Sequence, residues 1–235
     1  MEIFLTRVFL FTILPLLAAG VQIWLDKSTN TRERKIELVL MYLFGLGVAG
    51  SGIGGFIGHL FFSDIVAESV GWEIGSPFQL EMAFANLVLG VLGIIAAGRR
   101  DGFREATVIA VTILGFGASI VHFMDIIQTG NLAPGNTVQN IANLLKPILL
   151  IVFMTASRRL ERQPDSQTNT PQFETWRQPR LQAVALMTIS VATGFGVGFG
   201  IDQLLLVTGA GILVGVVLAV IVISRAPSEA RQGGE

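Results

Sequence analysis

The chain has 235 residues, of which 51% are AVILMFWYC and only 14% charged, with 16 Lys+Arg, 17 Asp+Glu and a formal net charge of -1. A soluble domain carries about 25% charged residues, so this composition, with a mean hydropathy of +0.66, excludes an ordinary soluble domain and a disordered chain. The near-zero charge argues against a nucleic-acid partner, and with no Cys there is no disulfide, thiolate ligand or thiol nucleophile.

The bilayer is the expected solvent and lipid the expected partner. A spanning helix needs roughly 17 to 25 predominantly apolar residues. Seven stretches come close: residues 3–25, 36–62, 80–97, 106–127, 141–156, 181–200 and 204–224. The fold class read from them is all-α, a polytopic transmembrane bundle of seven helices, multi-pass in the cell membrane. Alternating segments of a β-barrel are absent. The first stretch has an alternative reading as a signal peptide, since Arg7 precedes an apolar run ending in Ala18, Ala19 and Gly20. Glu2 ahead of Arg7, and the continuation through Trp24 to Leu25, favour a span.

Orientation follows from the cations. Lys27, Arg32, Arg34 and Lys35 lie between spans one and two, and Arg99, Arg100 and Arg104 between three and four. Arg158, Arg159, Arg162, Arg177 and Arg180 lie between five and six, and Arg225 and Arg231 follow span seven. That side is expected to be cytoplasmic, with the N-terminus out and the C-terminus in. Only Arg7 and Lys146 fall elsewhere.

The polar stretch after residue 157 contains Pro164, Asp165, Ser166, Gln167 and Pro171 and reads as a cytoplasmic linker over 158–180. It divides a five-helix core, 1–157, from a C-terminal hairpin and tail, 181–235. The hairpin is rich in Gly, including Gly194, Gly198, Gly211 and Gly215, and reads as a helix-contact or homo-oligomer surface.

Chemistry concentrates on the faces of spans two to five. Span two carries small residues at four-residue spacing, Gly47, Ser51 and Gly55, followed by His59. Span four repeats the arrangement with Gly115, Ala118, Ser119 and His122. Small rows admit close backbones, so both imidazoles are expected to face protein at the outer ends of their helices. Span three enters from that side, with Ser76 as its cap and Pro77 in its first turn, which puts Gln79 and Glu81 level with the two His. Asn86 lies deeper on a stripe with Ala83, Gly90, Gly93 and Ala97. Asn136, Asn140 and Asn143 line the start of span five, and Asp125 adds an acid near the interface. Lys146, the deepest charge, reads as snorkelling outward or pairing with Glu81 or Asp125, and Trp72 reads as an interfacial anchor.

Residues His59 to about Pro147 resemble an uncharacterised family of prokaryotic integral membrane proteins, a domain of unknown function. The resemblance rests on His59; Val70, Gly71 and Trp72; Ser76, Pro77, Phe78, Gln79 and Glu81; Ala85, Asn86 and Leu87; His122; and Pro134, Gly135 and Asn136. Val70 stands where the family pattern has Ile. The family-like part is expected over about 36–157, and no activity is implied by it.

A ligand set for Zn, Cu or Fe would use His59, His122 and Glu81, the ligand types left without Cys. A variant has both imidazoles as axial ligands of haem. The alternatives are a small-molecule or quinone pocket and a hydrogen-bonded cluster that only fixes helix packing. The ligand-binding set is His59, Gln79, Glu81, Asn86, His122 and Asn136. Transport, with the same groups as a proton or solute relay, and a structural or assembly role are the competing function classes. Retinal is excluded because residues 204–224 contain no Lys, and no nucleophile motif or His-Glu-x-x-His occurs.

Overall fold

The computed structural model describes residues 2–25, 31–161, 182–191, 193–194, 208 and 210–218, and among them there are helices and no strands. Five helices are long and apolar enough to cross a membrane: α1 Phe4–Leu25, α2 Arg32–Phe61, α4 Phe78–Gly98, α5 Gly102–Thr129 and α6 Pro134–Glu161. A short helix, α3 Ser63–Val70, follows α2, and α7 Gln182–Val191 is a shorter apolar helix. The sixth and seventh expected spans are helical where described, over 182–191 and 210–218. The rest of both, and residues 162–181 of the expected linker, lie outside the described residues.

Helix ends extend past the apolar windows because capping, not hydropathy, fixes them. Thr31 accepts a bond from the Arg34 backbone N–H at 3.3 Å, so α2 begins four residues before Ile36 amid charged side chains. Asp101 caps α5 through the Phe103 N–H at 3.1 Å. At the other extreme α6 continues through Arg158 to Glu161, past the expected boundary at 157.

α2 is the central helix: 83% of its most apolar window is buried, against 22–39% for the other four. One face packs Leu38, Met41, Tyr42 and Leu46 on Leu10, Phe11 and Ala19 of α1 and on Ala183, Val184 and Met187 of α7. Its opposite face packs Leu40, Phe44 and Val48 with Ala96 of α4, Val111 of α5 and Leu150 of α6. Against α4 the small residues bring backbones into contact. A Cβ on Gly52 would stand 2.4 Å from the Gly90 nitrogen, and one on Gly93 would stand 2.6 Å from that of Ala49. Gly115 of α5 plays the same part against the Asn143 carbonyl oxygen, at 2.6 Å.

In two places the backbone widens to i→i+5 hydrogen bonding, over Phe9–Ile13 in α1 and Leu43–Gly50 in α2. The two widened stretches meet: a Cβ on Gly50 would stand 3.0 Å from the Phe11 ring, and one on Gly47 3.3 Å from the Phe11 carbonyl oxygen. Outward faces carry the remaining apolar bulk. Leu5, Phe9, Ile13, Leu17 and Val21 make an exposed stripe on α1, and Leu80, Phe84, Val88 and Val91 another on α4. Exposed apolar area of this extent needs a nonaqueous neighbour, which fits a bilayer.

The C-terminal glycines close a contact within the chain. A Cβ on Gly211 would stand 2.5 Å from the Ser190 carbonyl oxygen and one on Gly215 3.1 Å from the Met187 Cα.

Charged groups gather at the end of the bundle where α2 and α5 begin. Arg104 bonds Glu37 at 2.8 Å and the Ala96 carbonyl oxygen at 3.0 Å. Arg100 reaches Glu33 at 2.8 Å and Glu37 at 3.5 Å, and Arg158 pairs with Glu105 and Glu161. The histidines lie at the opposite end.

Candidate functional site at the histidine end

α2 finishes in Gly58, His59, Leu60 and Phe61, and the chain turns into α3. α3 ends because Gly71 adopts φ 78, a left-handed conformation that favours Gly. A Cβ there would also strike the Asn131 side chain at 2.6 Å. This turn delivers Trp72 across the end of α5, where its ring stacks on His122 with centroids 5.2 Å apart and planes 18° apart. Phe78 meets the other side of the turn, edge-on to Trp72 at 5.8 Å, and the Ser76 hydroxyl accepts the Phe78 N–H at 3.3 Å to start α4.

Asp125 is the hub beneath this stack. One carboxylate oxygen accepts from Trp72 Nε1 at 2.9 Å, from Asn131 Nδ2 at 2.8 Å and from Asn136 Nδ2 at 2.6 Å. Asn131 Nδ2 also reaches the Val70 carbonyl at 3.0 Å, which ties α3 to the loop before α6. With its Nδ2 committed to Asp125 and to the Asn131 carbonyl oxygen, Asn136 turns Oδ1 toward His122 Nδ1 at 2.6 Å. An amide oxygen only accepts, so neutral His122 carries its proton on Nδ1 and has a bare Nε2. His59 Nδ1 lies 2.7 Å from Gln79 Oε1, which as an acceptor likewise places the ring proton on Nδ1. Among the described residues neither Nε2 has a hydrogen-bond partner.

The expected site residues thus fall into two pairs. His59 joins Gln79, and His122 joins Asn136 and, through it, Asp125. Glu81 is exposed on α4, and its side chain makes no hydrogen bond or ion pair among the described residues. Asn86 bonds back to the Met82 carbonyl at 2.7 Å, and its side chain fills the space over Gly55. Asn140 Nδ2 donates to the Asn136 carbonyl at 2.9 Å, and Asn143 accepts from Gln139 at 3.2 Å. Among the described residues no group of three His or acidic side chains is arranged to hold a metal ion.

Two readings from the sequence need correction. Lys146 pairs with neither Glu81 nor Asp125 and does not reach outward; its Nζ donates to Ser51 Oγ at 2.7 Å, inside the bundle. Ser51 sits on the small-residue face of α2, and its hydroxyl in turn donates to the Val48 carbonyl oxygen at 3.2 Å. Trp72 is more than an interfacial anchor, since both its ring and its N–H are engaged. The Asp125 hub was hidden by distance along the chain, 53 residues from Trp72. Its signal was an acid one turn beyond His122.

A family model described as a family of unknown function, DUF6790, matches residues 6–163. The match takes in the five long helices except the first two residues of α1, is wider than the stretch of resemblance from His59 to Pro147, and ends a few residues into the expected linker. No curated protein and no solved structure matches the chain.

Proposed function

This chain belongs to the DUF6790 family of unknown function, and we propose that it is a multi-pass cell-membrane protein that binds a small polar ligand at its histidine end. In this reading the histidine end faces outward and the arginine end faces the cytoplasm, in keeping with fourteen of the sixteen cations. Seven spans complete the topology, with residues 1–157 as the core, 158–180 as the linker and 181–235 as the C-terminal hairpin and tail.

One observation carries the proposal: two imidazoles are each locked through Nδ1 by an amide oxygen, at 2.7 and 2.6 Å, and each keeps an uncommitted Nε2. Locking Nδ1 fixes ring orientation and tautomer, as partners of ligating histidines do. Packing alone needs no free acceptor. A bare Nε2 accepts a hydrogen bond from a ligand hydroxyl or N–H, or donates its electron pair to a metal. Gln79 and Asn136 orient the rings, Trp72 gives one ring an aromatic wall, and Glu81 and Asn86 line the approach from α4.

Transport is the second reading, and Lys146 on Ser51 favours it, since a cation hydrogen-bonded this far inside a bundle marks a polar path. The test is what co-purifies. Mass spectrometry of extracted protein, with elemental analysis and visible absorbance, is expected to find a small molecule or metal in the wild type and at most a tenth as much in His59→Ala and His122→Ala. An empty wild-type protein, or equal occupancy in both variants, overturns the reading.

A further inference from the structure

One carboxylate oxygen governs two of the contacts that His122 makes. Asp125 Oδ2 accepts Trp72 Nε1–H at 2.9 Å, Asn131 Nδ2–H at 2.8 Å and Asn136 Nδ2–H at 2.6 Å, while Oδ1 receives the Thr129 hydroxyl at 3.1 Å. Through Trp72 this oxygen holds the indole over one face of the imidazole, with 5.2 Å between centroids and 18° between planes. Through Asn136 it holds the amide whose oxygen meets His122 Nδ1 at 2.6 Å. The four groups close a loop, from Asp125 to Asn136 to His122 to Trp72 and back to Asp125.

An amide has a donating end and an accepting end, and its orientation decides which of them a neighbour meets. The Asp125 carboxylate and the Asn131 carbonyl oxygen, 2.6 and 3.0 Å from one end of the Asn136 amide, both only accept, so that end is Nδ2 and the end toward His122 is Oδ1. Asn131 is itself tied to the same Asp125 oxygen through its Nδ2, so both acceptors depend on the one carboxylate. An amide turned the other way would offer N–H to the ring nitrogen, and the proton of neutral His122 would move to Nε2. A cross-link that only joined α3, α5 and α6 would require neither orientation. His59 is the contrast within the same chain, since its partner Gln79 makes no other side-chain hydrogen bond among the described residues and bonds no acid.

We propose that Asp125 is the positioning residue that sets the hydrogen-bond sense of the His122 half of the ligand site. By fixing Asn136 it keeps His122 Nε2 a bare acceptor. The ligand group that meets His122 is then a hydroxyl, an N–H or a metal ion, and carboxylates and unprotonated phosphates, which only accept, are excluded from that position. Trp72 closes one face of the ring, which leaves the Nε2 edge and the opposite face for the ligand. This role deepens the proposed ligand site and rests on that reading, since it names the chemistry the site selects.

The test uses the full chain, labelled with ¹⁵N-histidine, in bicelles above the imidazole range of about 6.5. In the wild type His122 is expected as one population protonated on Nδ1, and Asp125→Leu should add a second His122 population protonated on Nε2. Asp125→Asn should not, because three N–H donors require its oxygen where Oδ2 stands and its amide nitrogen then meets the Thr129 hydroxyl. His59 lies outside this network and should be unchanged in both variants, so a loss of fold, which alters both rings, is read apart from a change of tautomer. An unchanged His122 in Asp125→Leu, or the same second population in Asp125→Asn, overturns the role. A wild-type measurement needs no variant: ¹³C–¹⁵N dipolar recoupling should show the Asp125 carboxyl carbon in contact with the Trp72 and Asn136 side-chain nitrogens, and a missing contact overturns the role too. A small molecule or metal retained by the wild type should be kept by Asp125→Asn and lost from Asp125→Leu, and its retention by Asp125→Leu overturns the assigned selectivity. An empty wild-type protein defeats the ligand reading alone and leaves the tautomer result standing.

Discussion

Glu37 and Arg104 form a fully enclosed ion pair between α2 and α5, N···O 2.8 Å, with side-chain exposures of 0% and 1%. Ser157 of α6 approaches the same carboxylate oxygen at 3.5 Å, Arg100 reaches it at 3.5 Å, and the Arg104 guanidinium lies over the Phe44 ring at 5.6 Å. The pair thus joins α2, α5 and α6 at one level, beneath the end of α4 that offers the Ala96 carbonyl.

Removing one partner leaves a buried charge uncompensated, a loss of about 3 to 5 kcal/mol. Glu37→Gln is expected to lower the thermal midpoint of the detergent-purified protein by that equivalent. Glu37→Leu combined with Arg104→Met recovers most of it, because a matched apolar pair carries no desolvation cost. A single-variant loss below about 1 kcal/mol would show that the pair behaves as a solvated surface bridge.

Close approach of α2 and α4 depends on Gly52, where a Cβ would stand 2.4 Å from the Gly90 nitrogen. Backbone cannot yield as a side chain does, so Gly52→Ala should cost about 1 to 3 kcal/mol and Gly52→Val more. Gly117→Ala, with open space around its Cβ position, serves as the control and should be near neutral or slightly stabilising. Equal Tm for Gly52→Ala and Gly117→Ala would contradict the contact.

These contacts mark what the sequence could convey. Hydropathy located the five long helices, and the small-residue rows identified the faces of α2, α4 and α5 that pack closely. The sequence put Gln79 and Glu81 level with the two His, but which of them meets a ring was not legible: Gln79 bonds His59, and Glu81 stays exposed. Glu37 with Arg104, Trp72 with Asp125, and Lys146 with Ser51 join residues 67, 53 and 95 positions apart, and no local period encodes such meetings. Glu37 and Arg104 were also obscured by their neighbours, since each sits among charges that read as loop. The widened backbone over Leu43–Gly50 leaves no compositional mark, yet each such turn shifts the faces that follow it.

Asp101 provides a test by pH at the arginine end, outside the spans. Hydrogen bonds from Arg99, and secondarily from the Phe103 N–H that it caps, hold its carboxyl down at about 2, from an ordinary 3.8. A carboxyl depressed in the folded state stabilises fully above its unfolded value, and that contribution fades as pH falls from about 4 toward 2. Asp101→Ala should therefore lower Tm at pH 7 by a small amount, and the difference from wild type should shrink below pH 4. A difference that is constant from pH 7 to pH 2 would contradict the cap and its Arg99 partner.

Orientation is testable because the chain contains no Cys, so an introduced thiol is unique. In intact cells a membrane-impermeant maleimide is expected to label Glu73→Cys directly and Gly102→Cys only after permeabilisation. Both positions are exposed. The reverse pattern would place the histidine end in the cytoplasm and overturn the proposed topology.

The two imidazoles have their Nδ1 atoms held and their Nε2 atoms open. Histidine-selective ¹⁵N NMR of the protein in bicelles reads this directly at a pH above the imidazole range, about 6.5. The predicted spectrum shows both rings protonated on Nδ1 and bare on Nε2, with the His122 tautomer lost in Asn136→Leu and that of His59 lost in Gln79→Leu. Rings protonated on Nε2 in the wild type would contradict the locking by Gln79 and Asn136 and remove the acceptor atoms on which ligand binding depends.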